Sequence, residues 1–168
     1  PDGLTVAFVA DTDPSGIDPN GDVIVIPACG CKPARNVTAD NPANDFAPQW
    51  SPDGRQLVWL RQSIKGFYGD TARPTLLDLK SGTRRTLAAR WDRSVSSYAW
   101  SPDGRSIYAP VDDAGTQRVY RIDVADRAPP RPLTRSSSFS GIAVAGDALV
   151  ALRQGFTEPA TLVRVDPR

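Results

Sequence analysis

The chain has 168 residues, of which 40% are hydrophobic and 23% charged, and 20 Lys and Arg stand against 19 Asp and Glu for a formal net charge of +1. This is the composition of a folded globular protein, neither disordered nor fibrous. The balanced charge gives no field to draw nucleic acid or an anionic membrane surface, and no apolar run approaches the roughly 18 residues of a membrane span.

Pro1-Asp2-Gly3 reads as the remnant of a tight turn, and Thr5 to Val9 follows as a strand-like run. Asp11, Asp13, Ser15 and Gly16, with Asp22 eleven positions after Asp11, imitate a calcium loop of the D-x-D-x-S-G type. Pro14 stiffens that loop, Asp22 replaces the usual bidentate Glu, and strands flank it, so a solvated loop is expected and no metal is assigned. Val23 to Ile26 is a second strand-like run. Cys29 and Cys31 are separated only by Gly30. A bridge over one residue is expected to be strained, and two thiols in a chain without His fall short of a zinc site, so both are expected as small turn residues. Arg35 to Thr38 is a third run; the glycosylation-type triplet Asn36-Val37-Thr38 lies within it and is given no weight.

The organising feature comes next. WSPDGR occupies Trp50 to Arg55 and recurs identically at Trp100 to Arg105, a period of fifty residues; Pro1-Asp2-Gly3 and Ala145-Gly146-Asp147 are degenerate copies. In such a turn Pro presets φ, Asp bonds its own backbone and Gly takes the positive φ, so each copy should join two antiparallel strands. After each turn come a strand-like run (Gln56 to Leu60, Ser106 to Ala109, Ala148 to Leu152) and a second one (Thr75 to Leu79, Val119 to Val124, Thr161 to Val165). Shorter third runs follow at Arg84 to Leu87 and Arg131 to Thr134. The residues before Trp50 and Trp100, and Ser140 to Val144, supply the remaining strand of their units.

Four short strands per unit, repeating every ~40–50 residues, are the signature of propeller blades. The expected fold is therefore all-β, a β-propeller fragment of about three and a half four-stranded blades. The blades should span about 1–39 (lacking its inner strand), 45–88, 95–135 and 139–168 (lacking its outer strand). Exposed strand edges at both ends lead us to expect a piece of a longer propeller, or one completed by a second chain. Trp50 and Trp100 should pack between blades and Trp59 in the core, while Asp53 and Asp103 should act as turn caps. The loop Lys65 to Arg73 is long for a blade connection and carries Phe67 and Tyr68 between the hinges Gly66 and Gly69, which makes it the candidate partner-contact loop.

The WSPDGR turn followed by an apolar strand and then LLDLKSGTRRTL (Leu76 to Leu87) resembles the WD40-like repeat of TolB and of prolyl oligopeptidase-family propellers. The segment Trp91-Asp92-Arg93-Ser94-Val95 and the closing stretch Leu152 to Asp166 resemble bacterial acylaminoacyl-peptidase and dipeptidyl-peptidase-like enzymes. The resemblance implies a propeller over a C-terminal α/β-hydrolase domain, which with the remainder of the propeller would be its partner. It also implies peptide substrates, no cofactor, and the bacterial periplasm or cytoplasm, with the periplasm favoured.

No catalytic residue is assigned in the chain. It has no His to act as general base and no G-x-S-x-G elbow, so Ser137, Ser138 and Ser140 have nothing to activate them. The expected role is the non-catalytic propeller of a serine peptidase, gating and orienting peptides. The alternatives are a TolB-like periplasmic interaction propeller with no attached enzyme, and a lyase or sugar-binding propeller. The latter is disfavoured by the lack of His and of carboxylates clustered across blades.

Overall fold

The computed structural model describes residues 2–18 and 20–167. Pro1 of the opening turn and Arg168, at which the last expected blade ends, lie outside the described residues. The chain divides into two compact units, Pro1–Thr86 and Leu87–Arg168. Fourteen β-strands and no helix are present among the described residues, in four antiparallel sheets whose strands lie in chain order. The fold is the all-β propeller architecture, with two four-stranded and two three-stranded sheets.

The first unit holds two sheets. One consists of β1 (Thr5–Asp11), β2 (Gly21–Pro27) and β3 (Arg35–Asn36); the other of β4 (Asp45–Trp50), β5 (Gln56–Arg61), β6 (Arg73–Asp78) and β7 (Arg84–Thr86). Their facing residues form one core of Val23, Val37, Leu57, Trp59 and Leu77, against which Ala7, Val25 and Trp50 pack. Strands β5 and β6 each have four consecutive buried residues, Leu57 to Leu60 and Pro74 to Leu77. They lie in the middle of their sheet and are covered on both faces, so they show no alternation of apolar and polar residues.

The second unit is built the same way. One sheet has β8 (Ala99–Trp100), β9 (Ser106–Asp113), β10 (Thr116–Asp123) and β11 (Arg131–Pro132); the other has β12 (Ser138–Ala145), β13 (Ala148–Gln154) and β14 (Thr161–Val165). Tyr108, Val119, Phe139, Leu149, Ala151 and Val165 form its core.

The two WSPDGR copies fold alike to the last hydrogen bond. Gly54 N–H donates to the Ser51 carbonyl at 2.9 Å, and Gly104 N–H to Ser101 at 2.9 Å. The Ser51 and Ser101 hydroxyls donate to Asp53 and Asp103, each at 2.6 Å, and the same carboxylates accept the Arg55 and Arg105 N–H groups, each at 3.0 Å. Gly54 and Gly104 sit at φ 71° and 67°, which only glycine adopts without strain. The carboxylates are thus turn caps, and these hydrogen bonds hold both below the usual carboxylate range.

One expectation is corrected. Cys29 and Cys31 are joined by a disulfide, with Cα atoms 5.2 Å apart. Gly30 at φ 63° folds the turn tightly enough to bring the two Cα atoms within disulfide range.

Candidate interaction surface

Two long connections of the first unit lie side by side. The loop after β1 runs from Thr12 to Asn20, and the loop after β5 from Gln62 to Ala72. Asn44, just before β4, ties their roots together: its side-chain oxygen accepts Gly21 N–H at 2.9 Å and its carbonyl accepts Gln62 N–H at 2.9 Å. At the tips Lys65 Nζ lies 3.8 Å from Asp18 Oδ2.

The second loop is organised by two polar side chains. The Asp70 carboxylate accepts the N–H groups of Ser63, Ile64 and Thr71, which hold it below its ordinary range against the opposing effect of burial. Gln62 donates to the carbonyls of Tyr68 and Asp70 at 3.3 and 3.0 Å. The Phe67 ring folds back over the loop, its Cζ 3.0 Å from where a Cβ on Gly69 would lie. Phe67 remains 54% exposed and Tyr68 72%, beside Ile64 at 53% and Ile17 at 87% in the neighbouring loop. Two hydrogen-bonded loops therefore display four large apolar side chains to solvent.

The acidic loop residues are used locally. Asp11 Oδ1 accepts the N–H groups of Asp13 and Asn20, each at 3.0 Å. Asp13 accepts the Ser15 hydroxyl and the Asp18 N–H, and the Ser15 bond is the main reason its carboxyl lies below the usual range. Asp22 is buried and accepts the Thr12 hydroxyl at 2.5 Å and the Thr38 hydroxyl and Asn36 amide, each at 2.7 Å. Among the described residues no three His, Cys, Asp or Glu side chains are placed to share a metal ion.

Beneath the loops lies a buried polar cluster. Asp45 is fully buried and accepts the Trp59 indole N–H at 2.6 Å and the Asn41 amide at 2.7 Å. Burial pushes its carboxyl up to about 6, although both hydrogen bonds and Arg61 pull the other way. Arg84 lies 5.5 Å from the Trp59 ring centroid and donates to Asp40 at 2.6 Å.

The second unit has its own polar hub. Asp113, at the end of β9, accepts from Tyr120 at 2.7 Å, Arg118 at 3.0 Å and Arg93 at 3.2 Å. These donors hold Asp113 well below the usual carboxylate range. Trp91 packs against Tyr120 in a tilted pair with centroids 4.9 Å apart, so the Trp91-to-Val95 segment is pinned at Trp91, Arg93 and the buried Val95. Neither polar cluster is visible in the sequence. The only local sign is the Ala114-Gly115 step, a type I′ hairpin turn with φ 49° and 77° that fixes where Asp113 stands.

No family model matches the chain. Over its full length it is 23% identical to dipeptidyl-peptidase 5 of Porphyromonas gingivalis, across 171 aligned residues that make up 25% of that protein. The chain thus spans about a quarter of the length of the curated relatives it matches. A puromycin-hydrolyzing peptidase of Mycobacterium tuberculosis superposes on 99% of the chain with a TM-score of 0.71 and 19% identity, the chain covering 30% of it. TolB from Acinetobacter baumannii gives 0.70 and 18%, over 99% of the chain and 40% of TolB. At those identities the structural likeness speaks for the fold. The chain is thus a β-propeller segment similar in sequence, along its whole length, to a quarter of dipeptidyl-peptidase 5.

Proposed function

We propose that the chain is part of the non-catalytic propeller of a dipeptidyl- or acylaminoacyl-type serine peptidase, gating and orienting peptides above an α/β-hydrolase domain. One observation carries this reading: the whole chain aligns with a quarter of dipeptidyl-peptidase 5. The Phe67 and Tyr68 loop is its contact element, because exposed rings on a loop already ordered by Gln62 and Asp70 hydrogen bonds lose less entropy when a peptide or a neighbouring domain covers them. A stand-alone interaction propeller is the second reading; the likeness to TolB at 18% identity concerns the fold and does not favour it.

The test uses two proteins, this chain and the product of the complete reading frame in which its coding sequence lies. Chromogenic dipeptide and acyl-peptide substrates should be cleaved by the second and left intact by the first. Phe67→Ala and Tyr68→Ala in the longer protein should change KM for extended peptides more than for dipeptides. Serine-inhibitor-sensitive turnover by the chain alone, or none by the complete product, would end the proposal.

A further inference from the structure

The Cys29–Cys31 bridge lies in the connection between β2 and β3, outside both strands. The strands on either side are already joined without it, through the pairs Ile24–Asn36 and Val25–Arg35, and Ala28 N–H donates to the Leu4 carbonyl at 2.8 Å. The bridge encloses a single residue, Gly30, so it removes less chain entropy from the unfolded state than a bridge between distant segments would. It links nothing that the ladder leaves apart. As a staple it has almost no work to do.

Its surroundings fit a different use. Cys29, Gly30, Cys31 and Lys32 are all exposed, so an incoming thiolate has access to the sulfurs. The two sulfurs are not equivalent. The Cys31 N–H points at Cys29 Sγ at 3.4 Å, and no such donor to Cys31 Sγ occurs among the described hydrogen bonds. A donor aimed at Cys29 Sγ favours its thiolate form. Cys29 is therefore the better leaving group and Cys31 the sulfur to be attacked.

We propose that Cys29–Cys31 is a surface thiol–disulfide exchange site that takes small thiols of the glutathione class. A thiolate RS⁻ attacks Cys31 Sγ, the Cys29–Cys31 bond breaks, and its electron pair leaves on Cys29 Sγ, held there by the Cys31 N–H. The product is a mixed disulfide on Cys31. A second RS⁻ attacks the outer sulfur and releases RSSR and the Cys31 thiolate. In sum, the protein disulfide and two RSH give the protein dithiol and RSSR.

The experiment incubates the whole chain with reduced glutathione under native conditions, traps free thiols by alkylation at successive times, and maps each cysteine by mass spectrometry. Reduction should proceed within about tenfold of its rate in the urea-unfolded chain, glutathione should be found on Cys31 at least about fivefold more often than on Cys29, and the melting temperature should hold within about 2 °C. In the single-thiol variants, Cys29 of Cys31→Ser should form its thiolate at lower pH than Cys31 of Cys29→Ser. Native reduction slowed by more than about a hundredfold, adducts chiefly on Cys29, or a melting temperature lowered by about 5 °C or more would each overturn the proposal. So would two free thiols in the chain purified without reductant.

Discussion

Replacing Asp45 by Asn tests whether a fully buried carboxylate sets the pH dependence of the first unit. In the folded chain its carboxyl titrates near 6, against 3.8 for an unhindered Asp, chiefly because burial penalises the charge. Between those two values the folded state keeps a proton that the unfolded chain has released, so stability falls as pH rises through this window and levels off above it. A shift of roughly two pH units corresponds to about 3 kcal/mol over the full range, of which about 2 kcal/mol falls between pH 4.5 and 7.5. The carboxylates held below their ordinary range, such as Asp40 and Asp70, act in the opposite sense. They add stability that is lost only as pH drops below about 3.8, outside the window measured. In Asp45→Asn the new side-chain oxygen would still accept the Trp59 indole N–H. Its amide nitrogen, however, would face that of Asn41 and lose one hydrogen bond, worth about 1–3 kcal/mol at pH 4.5. Urea titrations from pH 4.5 to 7.5, followed by the Trp59 indole N–H resonance, should show the wild type losing about 2 kcal/mol and Asp45→Asn staying flat. Equal slopes for the two proteins, or an Asp45 carboxyl resonance that titrates below 4, would refute the reasoning.

Three further outcomes follow from the same geometry. Gly54→Ala and Gly104→Ala each place a Cβ at positive φ and should each cost about 1–2 kcal/mol in urea denaturation; costs differing by more than ~1 kcal/mol would show that the two turns are not equivalent. Leu149→Ala empties a fully buried site in the second core and should cost about 2–5 kcal/mol by thermal melting, whereas less than ~1 kcal/mol would mean a loosely packed core. Asp113→Asn should bring the Tyr120 phenol back toward 10 in an ultraviolet titration, since that carboxylate adds to burial in raising it; an unmoved titration would rule the contact out.

The repeat was legible because its chemistry is local: Pro52, Asp53 and Gly54 specify one turn whatever surrounds them, and the same words reappear fifty residues later. The exposed rings of Phe67 and Tyr68 were legible for a similar reason, since a glycine-hinged stretch without strand alternation has no sheet to bury them. What stayed hidden depends on register. Pairing of Ala10 with Asp22 sets the Asp22 carboxylate among Thr12, Thr38 and Asn36, a placement that its spacing from Asp11 does not reveal. Asp113 meets Arg93 twenty positions away only because β9 ends where it does. The cysteine bridge forms in a turn with Gly30 at φ 63°, an angle that the sequence permits without dictating.

The identical turns pose a problem of identity for the chain. Nothing in Trp50 to Arg55 distinguishes it from Trp100 to Arg105, so while the chain folds either hexapeptide could start either hairpin. The buried residues around them do differ. One repeat after Asp45 and Trp59 stand Val95 and Ala109, and all four are fully buried. A strand exchanged between the repeats would set the Asp45 carboxylate beside a methyl group, or leave the Trp59 indole N–H against Val95 with no acceptor. Either error strands a polar group in the interior at a cost of about 1–3 kcal/mol or more. The carboxylate that makes the first unit sensitive to pH thus also works as an address label, helping blades that share an identical turn to assemble each strand in its own place.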